Sequence, residues 1–227
     1  MARSHLTLAA LATSAVAELD VVGAAPFGSA GRGDFDAAVI TGRDGRHWIV
    51  RVPRSERAEQ QQSADLVALR ALSQGVRARL PFAVTTFAGQ TPVDGTRAIV
   101  SEFVYGTPVT GAGIDLALGT SIGEAIAAIH ALPTSLVTDA GLPAYAAADA
   151  HRAALALIDR ATATSLVPAA LQSRWEQAGE DAELWQFTPT VVNGDLGSAS
   201  FLAHSGDVTG LLGWHALRVA DPASDLS

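Results

Sequence analysis

A chain of 227 residues, 48% hydrophobic and 17% charged, is long enough for one large domain or two small lobes, and too apolar to remain disordered. Its formal net charge of −8, with arginines scattered rather than clustered, leaves no basic footprint for nucleic acid, so an anionic ligand must be drawn in by a local site. Cysteine is absent, which excludes disulfides and thiolate metal sites and suits a reducing cytoplasm, the expected location.

The opening "MARSHLTLAALATSAVAELD" imitates a secretory signal, with one arginine, a mildly apolar run and the small trio Ala15-Val16-Ala17. Thr7, Thr13 and Ser14 interrupt that run, while Leu8, Leu11, Ala15 and Leu19 recur at helical spacing and favour an amphipathic first helix. No other segment is long and apolar enough to cross a membrane. Next come β-type runs, "LDVVGAAPF", "FDAAVIT" and "RHWIVRV", separated by the flexible "GSAGRGD" and the turn "GRDG". Pro53 ends the third strand. A polar helix follows in "SERAEQQQSADLVALRALSQG", with Leu66, Ala68, Leu69 and Leu72 as its apolar stripe and Gly75 as its stop. Two more strands are expected at "FAVTTFA" and "TRAIVSEFVYG", joined by the turn "GQTPVDGT".

The composition then changes near "SEFVYGTP", the expected hinge. Leu118, Ile122, Ile126 and Ile129 mark one face of a helix that Pro133 closes. Ala-rich helices follow around "DAHRAALALIDRATA" and "PAALQSRWEQAGEDAELW", the second opened by Pro168 in a first-turn position. Only then does the stretch "NGDLGSASFLAHSGDVTGLLGW" supply a polar turn and two short strands. This order predicts an α+β two-lobed protein: a β-rich lobe over residues 1–105 with one long helix, and a helical lobe over 106–227 carrying a late hairpin.

The ordered set "SEFVYGTP", "LGTSIGEAIAAIHALP", "NGDL…FL", "VTGLLGW" and "VADPASDL" resembles the aminoglycoside/macrolide phosphotransferases, small-molecule kinases with the protein-kinase fold. The resemblance runs from the first hairpin to the last residue, and the set is far more specific than any one motif. It implies a protein-kinase-like two-lobed fold and transfer of phosphate from ATP or GTP to a hydroxyl of an antibiotic or metabolite. Such transfer rests on positioning and charge neutralisation: a cation on the third strand, a loop over the phosphates, metal ligands, and an Asp that receives the hydroxyl proton.

On the family pattern "HGDLHPGNIL…xIDW", Asp195 takes the catalytic position and Asn193 replaces the loop-supporting His. Ser200 stands at the Asn metal ligand and Gly213 at the metal-binding Asp. Arg51 falls near the phosphate-pairing Lys, with Glu59 as its nearest helical partner. Gly28, Gly31 and Gly33 would form the loop over the phosphates, and Glu102 to Val104 would offer hinge backbone to a base. Arg for Lys keeps the charge but not the geometry, and Ser for Asn keeps one neutral oxygen. Gly for Asp removes the hard carboxylate that holds Mg²⁺ on the phosphates, a loss of several kcal/mol of transition-state stabilisation. Asp207, Asp221 and Asp225 are remote candidates to replace it.

Without the resemblance, Asp195 reads as an ordinary turn former and the glycines as a flexible hairpin loop. His130 reads as structural, and Trp175, Trp185 and Trp214 as packing residues. Two functions are therefore carried forward: a kinase of a small hydroxylated compound, and a pseudokinase that binds a nucleotide, ligand or protein partner without turnover. In relatives "DPASDLS" begins further helices, so the helical lobe is expected to be incomplete and to expose an apolar patch suited to self-association or a partner.

Overall fold

The computed structural model describes residues 2–28 and 33–226. Helix α1 (His5–Ala15) opens where the Ser4 hydroxyl accepts the Thr7 N–H. Strands β1 (Val21–Pro26), β2 (Phe35–Gly42) and β3 (His47–Pro53) follow as consecutive antiparallel neighbours. Burial alternates residue by residue along β2 and β3, as a sheet covered on one face requires. Leu8 and Ala12 of α1 supply that cover, packing on Ile40, Trp48, Val50 and Val100. The expected apolar helix is therefore part of the sheet's core, although Leu19 falls beyond its end.

Helix α2 (Glu56–Ala71) is capped by the Ser55 hydroxyl and carries Glu56 and Glu59 in its first turn, both favourable against the helix dipole. It stops at Leu72, before Gly75, which instead lies inside the short α3 (Gln74–Arg77). The stop is made by Arg77, whose guanidinium donates to the Leu69 and Leu72 carbonyls and to Thr86 Oγ1.

Strand β4 (Ala83–Val84) leaves the first sheet altogether, and β5 (Phe87–Val93) pairs with β6 (Thr96–Glu102). The expected long turn "GQTPVDGT" shrinks to Asp94-Gly95, both at positive φ, the backbone a two-residue hairpin favours. Pro92 is tolerated within β5 because that strand is the sheet's edge in the order β1-β2-β3-β6-β5. Gly89 lets α1 close on this edge, since a Cβ there would lie 2.1 Å from the Ala15 carbonyl oxygen.

After the irregular residues 103–106 comes β7 (Thr107–Pro108), then α4 (Leu116–His130), capped by Asp115. Leu118 and Ile129 of its predicted face are buried, and Ile122 and Ile126 are partly buried beside them. Helices α5 (Ser135–Asp139), α6 (Ala147–Ala163) and α7 (Ala169–Glu180) complete the helical part. Pro168 serves as the N-cap of α7 rather than its first helical residue. No residue of α6 is buried, and Leu157, Leu166 and Leu184 are exposed.

Strand β8 (Thr190–Val192) pairs with β11 (Arg218–Ala220), and the hairpin β9 (Phe201–His204) and β10 (Asp207–Leu211) lies between them in sequence. That hairpin builds a second sheet, β4-β10-β9-β7, in which β4 runs parallel to β10. Trp214 is fully buried beneath it, stacked on Phe82 at 6.4 Å, in a second core shared with Leu72, Ile129 and Leu217. Among the described residues no helix is long and apolar enough to cross a membrane.

Candidate functional site

The pleat that buries Trp48, Val50 and Val52 turns Ile49 and Arg51 to the opposite face of the sheet, into a cleft. The cleft has two adjoining cavities that share Arg51, Asp65, Leu212 and Gly213. The smaller, about 170 Å³, is mostly apolar, lined by Phe27, Ile49, Phe103, Val104 and Leu202, with Glu102 at its edge. The larger, about 320 Å³, is the more polar of the two, lined by Gln61, Asp195, Ser200 and His215.

Arg51 is the cation at the junction. Its Nη2 lies 3.1 Å from Asp65 Oδ2, and its guanidinium sits over the Phe35 ring. The helical partner is thus Asp65 and not Glu59. Ala58, Gln62, Asp65, Leu66 and Leu69 recur at helical spacing as the buried stripe of α2, whereas Glu59 lies off it. Asp65 Oδ1 also accepts the Trp214 N–H at 2.8 Å, so one carboxylate ties β3, α2 and the segment after β10 together. Gln62, buried beside it, donates to the Arg97 carbonyl.

Asp195 is presented by a loop anchored from below. Asn193 is buried; its Nδ2 donates to the Gly213 carbonyl at 2.9 Å, and its Oδ1 accepts the Asp195 N–H. Gly194 has φ +83°, and a Cβ there would lie 2.0 Å from Arg218 Nη1, so the loop needs glycine at that point. Underneath, Asp225 accepts the Asn193 N–H at 2.9 Å and the Gly194 N–H at 2.7 Å, while His130 Nε2 stands 3.1 Å from its Oδ2. His130 is therefore a support of the loop from α4. The result leaves the Asp195 side chain 65% exposed, facing His215 Nε2 at 3.2 Å.

Ser200 Oγ accepts the Gly197 N–H and borders the same chamber. Gly213 has φ +75°, and a Cβ built on it meets nothing within 4 Å. Position 213 thus has room for a side chain, and glycine supplies none. The three remote acids do not fill it. Asp207 opens β10 at the end away from Gly213, Asp221 caps the turn Pro222–Asp225, and Asp225 is committed to the loop. Asp65 has both oxygens engaged by Arg51 and Trp214. Among the described residues, no group of three or more His, Cys, Asp or Glu side chains is placed to hold a metal ion. An all-oxygen octahedral site of the kind Mg²⁺ demands does not fit these residues.

Gly28 and Gly33 both have positive φ, while Gly31 lies outside the described residues. His204 ends β9 and lines neither part of the cleft. Sequence reasoning missed three cleft residues: Asp65, Gln61 and His215. Asp65 was signalled by a charged residue on an apolar helical stripe, and His215 by its place two residues after Gly213.

The relatives bear on this arrangement. A protein of Bacillus subtilis (strain 168) carrying the name Uncharacterized protein YcbJ is 26% identical over 210 residues, 85% of this chain, and the chain spans 65% of that relative's length. In solved structures, the macrolide 2'-phosphotransferase MphH from Brachybacterium faecium, as apoenzyme, superposes with a TM-score of 0.80 at 24% identity. That match covers 98% of this chain and 76% of MphH. Macrolide 2'-phosphotransferase type I gives 0.76 at 24% identity, covering 100% and 77%. The GDP complex of aminoglycoside 2'-phosphotransferase-IIIa gives 0.73 at 18%, covering 98% and 76%. The architecture is thus the protein-kinase-like fold of these enzymes. Residues 29–227 match the model of the phosphotransferase enzyme family, and the chain belongs to that family.

Proposed function

We propose that the cleft binds a nucleoside triphosphate but supports little Mg²⁺-dependent phosphate transfer, so that the protein acts as a pseudokinase. The observation that carries this reading is Gly213: the chamber beside Arg51 and Asp195 is shaped, yet its anchor for the cation is a glycine with open space around it. The base would enter the apolar slot beside Glu102 to Val104, with the phosphates directed towards Arg51. A nucleoside triphosphate ligand accords with a cytoplasmic location. Structures of relatives with GDP and with ATP support nucleotide use here.

A second reading is favoured by Asp195, which remains displayed on a fully supported loop. In it, a hydroxyl oxygen of a macrolide- or aminoglycoside-like acceptor attacks the γ-phosphorus. Its proton passes to Asp195, and the bond to the β–γ bridging oxygen breaks to release the diphosphate. Titrating ATP and GTP in EDTA and in Mg²⁺, alongside a γ-phosphate transfer assay on a macrolide and an aminoglycoside, separates the two. Pseudokinase behaviour is binding in EDTA, little gained from Mg²⁺, and no labelled acceptor. Mg²⁺-dependent labelling abolished by Asp195→Asn establishes the kinase instead.

A further inference from the structure

A further cavity lies between the segment leading from α1 into β1 and the turn that joins β2 to β3, and it shares no lining residue with either part of the cleft. At about 550 Å³ it is larger than both, and within the range of ~300–1,000 Å³ where small-molecule sites fall. Val16, Leu19 and Trp48 give it an apolar wall. Glu18 turns the chain there at φ +64°, a left-handed conformation that a non-glycine residue seldom adopts. The charges around the cavity are largely matched. Arg43 pairs with Asp20, Arg46 pairs with Glu102, and Asp44 Oδ1 accepts the Arg46 N–H.

One buried polar group of the wall is not matched. Trp48 is 8% exposed, and its Nε1 N–H has no hydrogen-bond partner among the described residues. Trp185 and Trp214, by contrast, both donate theirs to backbone carbonyls. The Trp48 nitrogen lies on the Gly42 side of its ring: a Cβ built on Gly42, itself a wall residue, would stand 3.6 Å from it. A buried donor without an acceptor forfeits its hydration and gains nothing in return.

We propose that this cavity binds an uncharged, largely apolar small molecule whose carbonyl oxygen or ring nitrogen accepts the Trp48 N–H. The class follows from the wall. Apolar side chains favour an apolar body, the unmatched donor calls for an acceptor, and three acids against two arginines disfavour an anion. Arg46 is the movable part of the wall: its guanidinium lies 4.7 Å over the indole ring, its side chain is 56% exposed, and it shifts aside to admit the ligand. This site goes beyond nucleotide binding in the cleft and does not depend on it.

The test uses the whole chain and two probes at pH 7: quinoline, uncharged with a ring-nitrogen acceptor, and naphthalene, of the same shape without one. Proton–nitrogen correlation NMR follows the indole N–H resonances of the four tryptophans, and Trp48→Phe identifies that of Trp48. Quinoline should move the Trp48 resonance downfield and saturably. Trp48→Phe should weaken quinoline binding by about tenfold and naphthalene binding by less than about twofold, because only quinoline loses a hydrogen bond. Gly42→Ala, which sets a methyl group beside the same nitrogen, should weaken quinoline by about tenfold in a chain that keeps Trp48. A Trp48 resonance that stays in place, an equal loss for both probes in Trp48→Phe, or quinoline shifts confined to residues lining the cleft overturns the proposal.

Discussion

Asp225→Asn changes almost no volume and opens no cavity, yet it alters the three contacts this carboxylate makes beneath the Asp195 loop. The carboxylate is 0% exposed and faces three nitrogens: the Asn193 and Gly194 backbone N–H groups and His130 Nε2. An amide can accept with its single oxygen, but its NH₂ must then face at least one of those donors. An unmade buried hydrogen bond costs about 1–3 kcal/mol, and the remaining bonds, no longer charge-assisted, each weaken by about 1 kcal/mol. Relief of the buried charge offsets part of this, leaving a net loss of roughly 2–4 kcal/mol. For a chain of 227 residues, that corresponds to a fall in Tm of about 4–16 °C. Calorimetry and urea unfolding at pH 7 read it directly. A change of less than about 1 kcal/mol would refute the claim that this carboxylate organises the loop.

The empty space at Gly213 makes a gain-of-function variant feasible. Gly213→Asp with Ser200→Asn should allow Mg²⁺ to raise nucleotide affinity by roughly tenfold, at a stability cost of about 1 kcal/mol for a side chain at φ +75°. An unchanged thermal-shift titration with Mg²⁺ would show that positions 200 and 213 do not face the phosphates. Arg77→Met should destabilise the protein by about 2–3 kcal/mol in urea unfolding, because it strands the Leu69 carbonyl at the end of α2 together with Thr86. Burial lowers the Arg77 pKa, and nearby Glu102 raises it in part, so the guanidinium makes its hydrogen bonds against a desolvation cost. Arg77→Lys, which keeps the charge but cannot span the same acceptors, should fall between the two.

Much of this protein is legible in local pattern. The alternation in "FDAAVIT" and "HWIVRV" builds the two central strands, since each strand buries one face against α1. Ser55 and Asp115 mark helix starts because their side-chain oxygens satisfy backbone donors three residues on. Departures came where a residue's neighbour is distant in sequence. Gly75 reads as a stop, but the carbonyls of α2 are already satisfied by Arg77. Pro92 lies in the stretch read as a turn, but it belongs to β5, an edge strand paired on one side alone, where a missing N–H is tolerated. Strands β8 and β11 are three residues each and form a two-stranded sheet apart from the others, so neither carries a periodicity of its own.

For the cleft the same division holds. The family pattern pointed to Asp195, Ser200, Gly213 and Arg51, and all four line one cavity, since a loop and the hairpin after it are read along a continuous stretch of chain. Which carboxylate meets Arg51 was settled by how α2 crosses the sheet, and that choice brought Asp65, not Glu59, to the cation. The supports of Asp195 come from α4 and from the turn after β11, 95 residues apart in the chain. The pairing of His215 with Asp195 arises only once β9 and β10 fold between them. Residue type and spacing determined the elements, and the family resemblance supplied the expectation that the cation anchor is missing. Tertiary packing alone decided which charges meet, because ion pairs and hydrogen bonds depend on distances of a few ångströms that no local pattern encodes.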